Sequence, residues 1–161
     1  MDDTPQSTAA NPEDVTSVNA IVRALYECVS FRPGMQPDYT RLRTLFHQNG
    51  IVIPPRTDHS AEFAAMDIET FITRSRHYVI TTGMENKGFH EKEIARRMES
   101  FGSIVHAFST YESRHRQDDA KTIQRGINSI QLGRDSKRWW LLSIVWDIER
   151  VGNPIPKEYS A

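Results

Sequence analysis

Histidine is the side chain whose ordinary pKa lies nearest neutral pH, so the six histidines of this 161-residue chain are the first candidates for proton transfer. His106 sits between Val105 and Ala107, where a charge is costly unless it is paired. It reads as a general base or a ligand-bonding group, or as a neutral core histidine satisfied by a neighbour. His77, flanked by Arg74 and Arg76, reads as a ligand contact or as an ordinary helix-surface residue. Tyr26 follows Leu25 on the buried edge of a helix, where packing alone would account for it and acid–base work is the alternative. The histidines at 47, 59, 77, 90, 106 and 115 form no i, i+4 pair and no short spaced pair, so no metal site is expected. The chain has no glycine-rich phosphate loop and no serine or cysteine nucleophile motif, and we expect no cofactor.

Composition narrows the partners. Lys+Arg 20 against Asp+Glu 21 leaves a net charge of −1, with no excess to neutralise a phosphate backbone, so nucleic acid is not the expected partner. The single cysteine, Cys28, excludes an internal disulfide and reads as an inert buried thiol. No apolar run approaches the ~20 residues of a membrane helix, and the polar start lacks the pattern of a signal peptide. A cytoplasmic protein is expected, with residues 1–10 as a disordered tail and 11–161 as one domain.

The elements that must position these residues are marked by caps and periodicity. Asn11-Pro12-Glu13-Asp14 opens a helix, and Val15, Val18, Val22, Leu25 and Val29 form its buried stripe until Pro33-Gly34. Asp38 caps a shorter helix with Tyr39, Leu42, Leu45 and Phe46, for which Asn49-Gly50 supplies a left-handed stop. Ile51 to Ile53 is a short strand closed by Pro54-Pro55. Asp67 caps a third helix that turns Ile68, Phe71, Ile72 and Val79 inward and ends near Gly83. Propensity favours helix over Glu91 to Glu99, whereas Ile104 to Tyr111 favours strand.

Two apolar runs in RGINSIQLGRDSKRWWLLSIVWDIE (125–149) form a hairpin. With Asp135-Ser136 as its central turn residues, Leu132 faces Trp139, Ile130 faces Leu141, Asn128 faces Ser143 and Gly126 faces Val145. Asp147 continues that side. Asn128, Ser143 and Asp147 then interrupt an apolar wall, as the polar groups of a small-molecule pocket do, with Trp139 beside them. Asn128 and Ser143 bonding only each other is the plainer reading. The other side stacks Trp140, Leu142, Ile144 and Trp146. A stripe of that size suits an isologous homodimer interface, with Arg125 over Trp146 at its edge. A slip of one residue would exchange the two sides.

LFHQNGIV (45–52), FGSIVHAFSTYE (101–112), GINSIQL (126–132) and RWWLLSIVWDIE (138–149) together resemble the nuclear transport factor 2-like superfamily, most of all its SnoaL-like bacterial branch. The resemblance covers nearly everything after the tail. It implies an α+β cone (a cystatin-like barrel), with three N-terminal helices packed on a curved antiparallel sheet and a pocket at the wide end. It also implies that Phe89 to Ser100 is a strand, against propensity. In the superfamily's ketosteroid isomerases a carboxylate base follows the first strand; this chain has Pro54 and Pro55 there, and Asp58 beyond them reads as solvated. The superfamily's dehydratases use pocket histidines and tyrosines instead.

Two classes of function follow. One is a small enzyme binding a hydrophobic molecule and moving a proton (dehydratase, isomerase or cyclase type) through His106, Tyr26 and Asp147, with Asn128, Ser143, Trp139 and His77 as ligand contacts. The other is a non-catalytic ligand-binding or dimeric assembly module using the same cone.

Overall fold

A computed structural model describes residues 9–57 and 60–161. The expected tail therefore lies mostly outside the described residues, as does Asp58. Helices α1 (Val18–Val29), α2 (Tyr39–Leu45), α3 (Ile68–Thr81) and the short α4 (Met84–Lys87) accompany strands β1 (Phe46–Ile53), β2 (His90–Phe101), β3 (Ile104–Arg114), β4 (Gln124–Arg134) and β5 (Trp139–Ile148). The strands form one curved sheet in the order β1-β5-β4-β3-β2. All neighbours are antiparallel except β1 and β5, which run parallel.

The first predicted helix is two pieces. Asn11 caps only a 3-10 turn over Pro12–Val15, and Ser17 starts α1 by accepting a hydrogen bond from the Ala20 amide. Arg41 ties the pieces together, donating to both Asp14 carboxylate oxygens at 2.8 and 2.7 Å and to Glu27 at 2.8 Å. That guanidinium holds the Asp14 carboxyl below its ordinary range. Asp38 and Asp67 cap α2 and α3 as expected. Asn49-Gly50 is not a helix stop: α2 ends at Leu45, neither residue has positive φ, and both lie in β1 where its register against β5 shifts. Residues 90–101 form a strand, so the implied fold prevails over local propensity. Each of their pairings to β3 adds tertiary contacts that an isolated helix would lack.

The inward face of α1 (Ile21, Val22, Leu25, Cys28) meets Leu42 and Leu45 and the sheet residues Val105, Ala107, Ile130, Leu132, Leu141 and Ile144. Each such aliphatic contributes about 1.5–3 kcal/mol by leaving water. Burial pushes the Cys28 thiol up to about 12 and keeps it unreactive.

Two β-bulges determine which side chains enter the cone. In β4–β5 the closing pair is Arg134 with Trp139, so the register lies two residues from the expected one near the turn and leaves the faces unchanged there. Leu132 then pairs with Leu141 but Gln131 with Ser143, leaving Leu142 as the extra residue. Beyond it the faces exchange. Ile144 and Trp146 turn inward opposite Ile130 and Asn128, while Ser143, Val145 and Asp147 turn outward. The second bulge lies in β2. Glu93 pairs with Tyr111 and Ala95 with Thr110, so Ile94 is extra, and Glu91, Glu93, Arg96 and Met98 all lie on the inner side.

Candidate functional site

Inside the cone a continuous hydrogen-bonded chain links helix and sheet. Asn128 Nδ2 donates to Tyr26 Oη at 3.0 Å, and Tyr26 Oη lies 2.7 Å from Ser109 Oγ. Ser109 gives its proton to the Glu93 carboxylate, which only accepts, so Tyr26 must be the donor to Ser109. Arg96 closes the chain with Nε and Nη2 on Glu93 at 2.9 and 2.7 Å, and Nη1 on Asn19 Oδ1 at 2.6 Å. Arg96 follows Glu93 by three residues and would face outward in a regular strand. The Ile94 bulge brings it to the same side.

Glu91 occupies the same face two residues earlier, opposite Ser113. Its backbone is held by Ser30, whose hydroxyl accepts from Glu91 N at 3.0 Å and shares its one proton between Tyr26 O at 2.8 Å and Glu91 O at 3.2 Å. Its carboxyl makes no hydrogen bond or ion pair among the described residues. Loss of water pushes this carboxyl up to about 8. Its charge in turn helps raise the phenols of Tyr26 and Tyr111, both chiefly through burial, so both hydroxyls stay protonated. The two phenols differ in engagement. Tyr26 is bonded on two sides, whereas Tyr111 Oη makes no hydrogen bond among the described residues. The Tyr111 ring lies over Gly126, where a Cβ would come within 2.6 Å of Tyr111 Oη and 2.5 Å of Asp147 O. Glycine is what lets the phenol lie there. This set joins a carboxyl that burial raises above its ordinary range to a phenol with no hydrogen-bond partner among the described residues.

The fold has known counterparts. A candidate ketosteroid isomerase from Parabacteroides distasonis superposes over 90% of this chain and 98% of its own, with a TM-score of 0.56 and 14% identity. A protein of unknown function with a cystatin-like fold from Nostoc punctiforme covers 70% of this chain and 77% of its own, at TM-score 0.55 and 11% identity. A nuclear transport factor 2-like protein of unknown function from Silicibacter pomeroyi covers 82% and 92%, at 0.52 and 14%. The chain has the nuclear transport factor 2-like, cystatin-like fold. No protein-family model and no curated protein matches its sequence.

Within this nuclear transport factor 2-like cone, the structure brings together only two of the residues singled out by sequence, Tyr26 and Asn128. His106 lies on the outer face with Nε2 3.0 Å from Ser129 Oγ and its ring beside Phe108. Asp147 is exposed on the outer side and ion-paired to Arg150 at 2.7 Å, a contact that holds its carboxyl below the ordinary range. Ser143 is also outward, because of the Leu142 bulge, so it neither faces Asn128 nor lines the interior. His77 is exposed on α3, and Trp139 is half-buried against the core. The expected outer stripe is divided. Trp140 stays outside, its indole donating to Asp135 at 2.7 Å, and Leu142 lies outside over Gly133. Ile144 is in the core, and Trp146 stacks edge-on with Phe71 at 6.2 Å. Arg125 pairs with Glu149 at 3.5 Å on the face opposite Trp146, so no cation–π contact forms. Sequence reasoning missed Glu91, Glu93, Arg96, Ser109 and Tyr111. Only strict alternation along β3 could have placed Ser109 and Tyr111 on the face of Val105 and Ala107. Among the described residues no three His, Cys, Asp or Glu side chains converge as a metal site.

Proposed function

We propose that the protein binds a small, mainly apolar molecule at the Glu91–Tyr111 end of the cone and moves a proton on it. In this reading the Glu91 carboxylate removes a proton from the carbon beside a carbonyl. Tyr111 Oη donates a hydrogen bond to the oxygen on which charge develops, and Glu91 returns the proton to the same or a conjugated carbon. Tyr26, Ser109, Glu93 and Arg96 act as positioning residues that fix α1 against the sheet. The observation that carries the reading is the unpartnered, inward Glu91 carboxyl beside a hydroxyl with nothing to donate to. A group poised near operating pH is what general-base chemistry needs. The likeness in fold to a candidate ketosteroid isomerase and the SnoaL-like resemblance of the sequence agree with it. Glu91 would stand in, from β2, for the carboxylate that Pro54 and Pro55 cannot provide.

The test is exchange of α-protons in a panel of cyclic and aryl ketones in D2O, followed by NMR. Catalysed exchange should rise with pH and level off above about 8, and Glu91→Gln should abolish it. Ketones that bind without any catalysed exchange would favour the binding-module alternative. A homodimer through the outer sheet face remains a separate proposal. It retains Trp140, Leu142 and Arg125 from the expected interface and loses Ile144 and Trp146, and sedimentation of wild type against Trp140→Ala tests it.

A further inference from the structure

Beyond the cone interior, an open cleft of about 620 Å³ lies where the α1–α2 loop meets the end of β3. It is lined by Ser30 to Pro33, His90, and His115 to Asp118. Its frame is rigid. Phe31 and Phe89 exchange backbone hydrogen bonds at 2.7 and 2.9 Å, and His115 Nδ1 donates to Gly88 O at 3.1 Å. Gly88, at φ +80°, is where the two loops close: a Cβ there would meet His115 O and Pro33 Cδ, each at 2.8 Å. On the far side Asp119 fixes the turn by accepting from the Arg116 amide and, through its carbonyl, from Arg114 Nη1.

Three charged heads of the lining make no contact of this kind. The guanidinium groups of Arg32 and Arg116 make no hydrogen bond or ion pair among the described residues, and the outer nitrogen of His115 is likewise uncommitted. Asp118 is the single carboxylate of the lining, and it bonds neither arginine. Burial, then Lys92 and Arg114, hold the His90 imidazole toward its neutral form, and Glu112 pairs with both of those cations at 3.3 and 2.8 Å. Phe31 and Pro33 supply an apolar wall. Two free guanidiniums beside an apolar wall, in a volume suited to a small ligand, match a molecule with an anionic head and an apolar body.

We propose that this cleft is a binding site for a small organic anion, a carboxylate or a phosphate monoester. Its charge is held by Arg32 and Arg116 and its apolar part rests on Phe31 and Pro33. The cleft adjoins the Glu91 centre through Ser30 and His90, but the Glu91 carboxyl is not among its lining groups, so the proposal stands without that reading.

The probes are benzoate, phenyl phosphate and the neutral benzyl alcohol, each titrated into the full chain while the ring signals of His90 and His115 are followed by NMR. Saturable shifts are expected for the anions and none for the alcohol, and the tighter of the two anions identifies the head group. Arg32→Ala with Arg116→Ala should weaken binding about tenfold, equivalent to about 1.4 kcal/mol, and Asp118→Asn should strengthen it. These side chains are exposed, so the variants should fold as wild type does. Benzyl alcohol binding as well as benzoate, or anion affinity unchanged in the double variant, would overturn the proposal. Glu91→Gln should leave the anion affinities unaltered, whatever it does to the starting position of the neighbouring His90 signal, which separates this site from the proton-transfer reading.

Discussion

Glu91 and Glu93 lie two residues apart on one strand and one face, yet their surroundings are opposite. Glu93 takes two nitrogens of Arg96 and the Ser109 hydroxyl, and through them joins Tyr26 and Asn128. Glu91 takes nothing among the described residues. The difference comes from one inserted residue. The Ile94 bulge brings Arg96 to the side of Glu93, and no comparable cation reaches Glu91. A buried charge with its partners is architecture, whereas one without them changes its protonation instead. The same contrast separates the phenols, Tyr26 bonded twice and Tyr111 free.

Among the substitutions, the largest expected effect comes from breaking the satisfied side. Arg96→Ala leaves Glu93 half-buried without its cation and should cost about 3 kcal/mol in urea unfolding. Glu93→Gln combined with Arg96→Met should recover much of that loss, because no uncompensated charge remains. Next come the phenols. Tyr26→Phe removes the acceptor of Asn128 and the donor to Ser109 and should cost about 1–2 kcal/mol, whereas Tyr111→Phe should cost under about 0.5 kcal/mol. Equal losses at the two positions would remove the distinction between a positioning phenol and a free one.

A pH slope tests the unsatisfied side of the same contrast. Glu91 binds its proton more tightly folded than unfolded, so the stability it contributes is complete below the ordinary carboxyl range. That stability declines as pH rises to about 8. Thermal melts across this window should fall for wild type, and Glu91→Gln should flatten that part of the profile.

Much of the fold was legible because its signals are local. Asp38 and Asp67 sit before apolar-periodic runs and cap as expected, and Gly102, at φ +54°, turns the β2–β3 hairpin. The strand over 90–101 came from the resemblance alone, since Glu, Ala, Arg and Met favour helix when nothing pairs with them. The site was less legible. Ile94 lies in a helix-favouring run and Leu142 in an apolar one, no glycine or proline beside either marks the extra residue, and each exchanges every face beyond it. Leu142 thus carried Ser143 and Asp147 out of the cone and Trp146 into it. Ile94 produced the Glu93–Arg96 pair that alternation forbids. Tyr26 was readable because a helix stripe survives errors of register. Asn128 was readable because the extra residue lies on β5, so the alternation along β4 is unbroken.

The most direct measurement is a 13C NMR titration of the Glu91 side-chain carboxyl in the folded protein, assigned by its loss in Glu91→Gln. The account predicts a midpoint near 8. A midpoint in the ordinary glutamate range, about 4.3, would show a solvated carboxyl and contradict the proton-transfer reading.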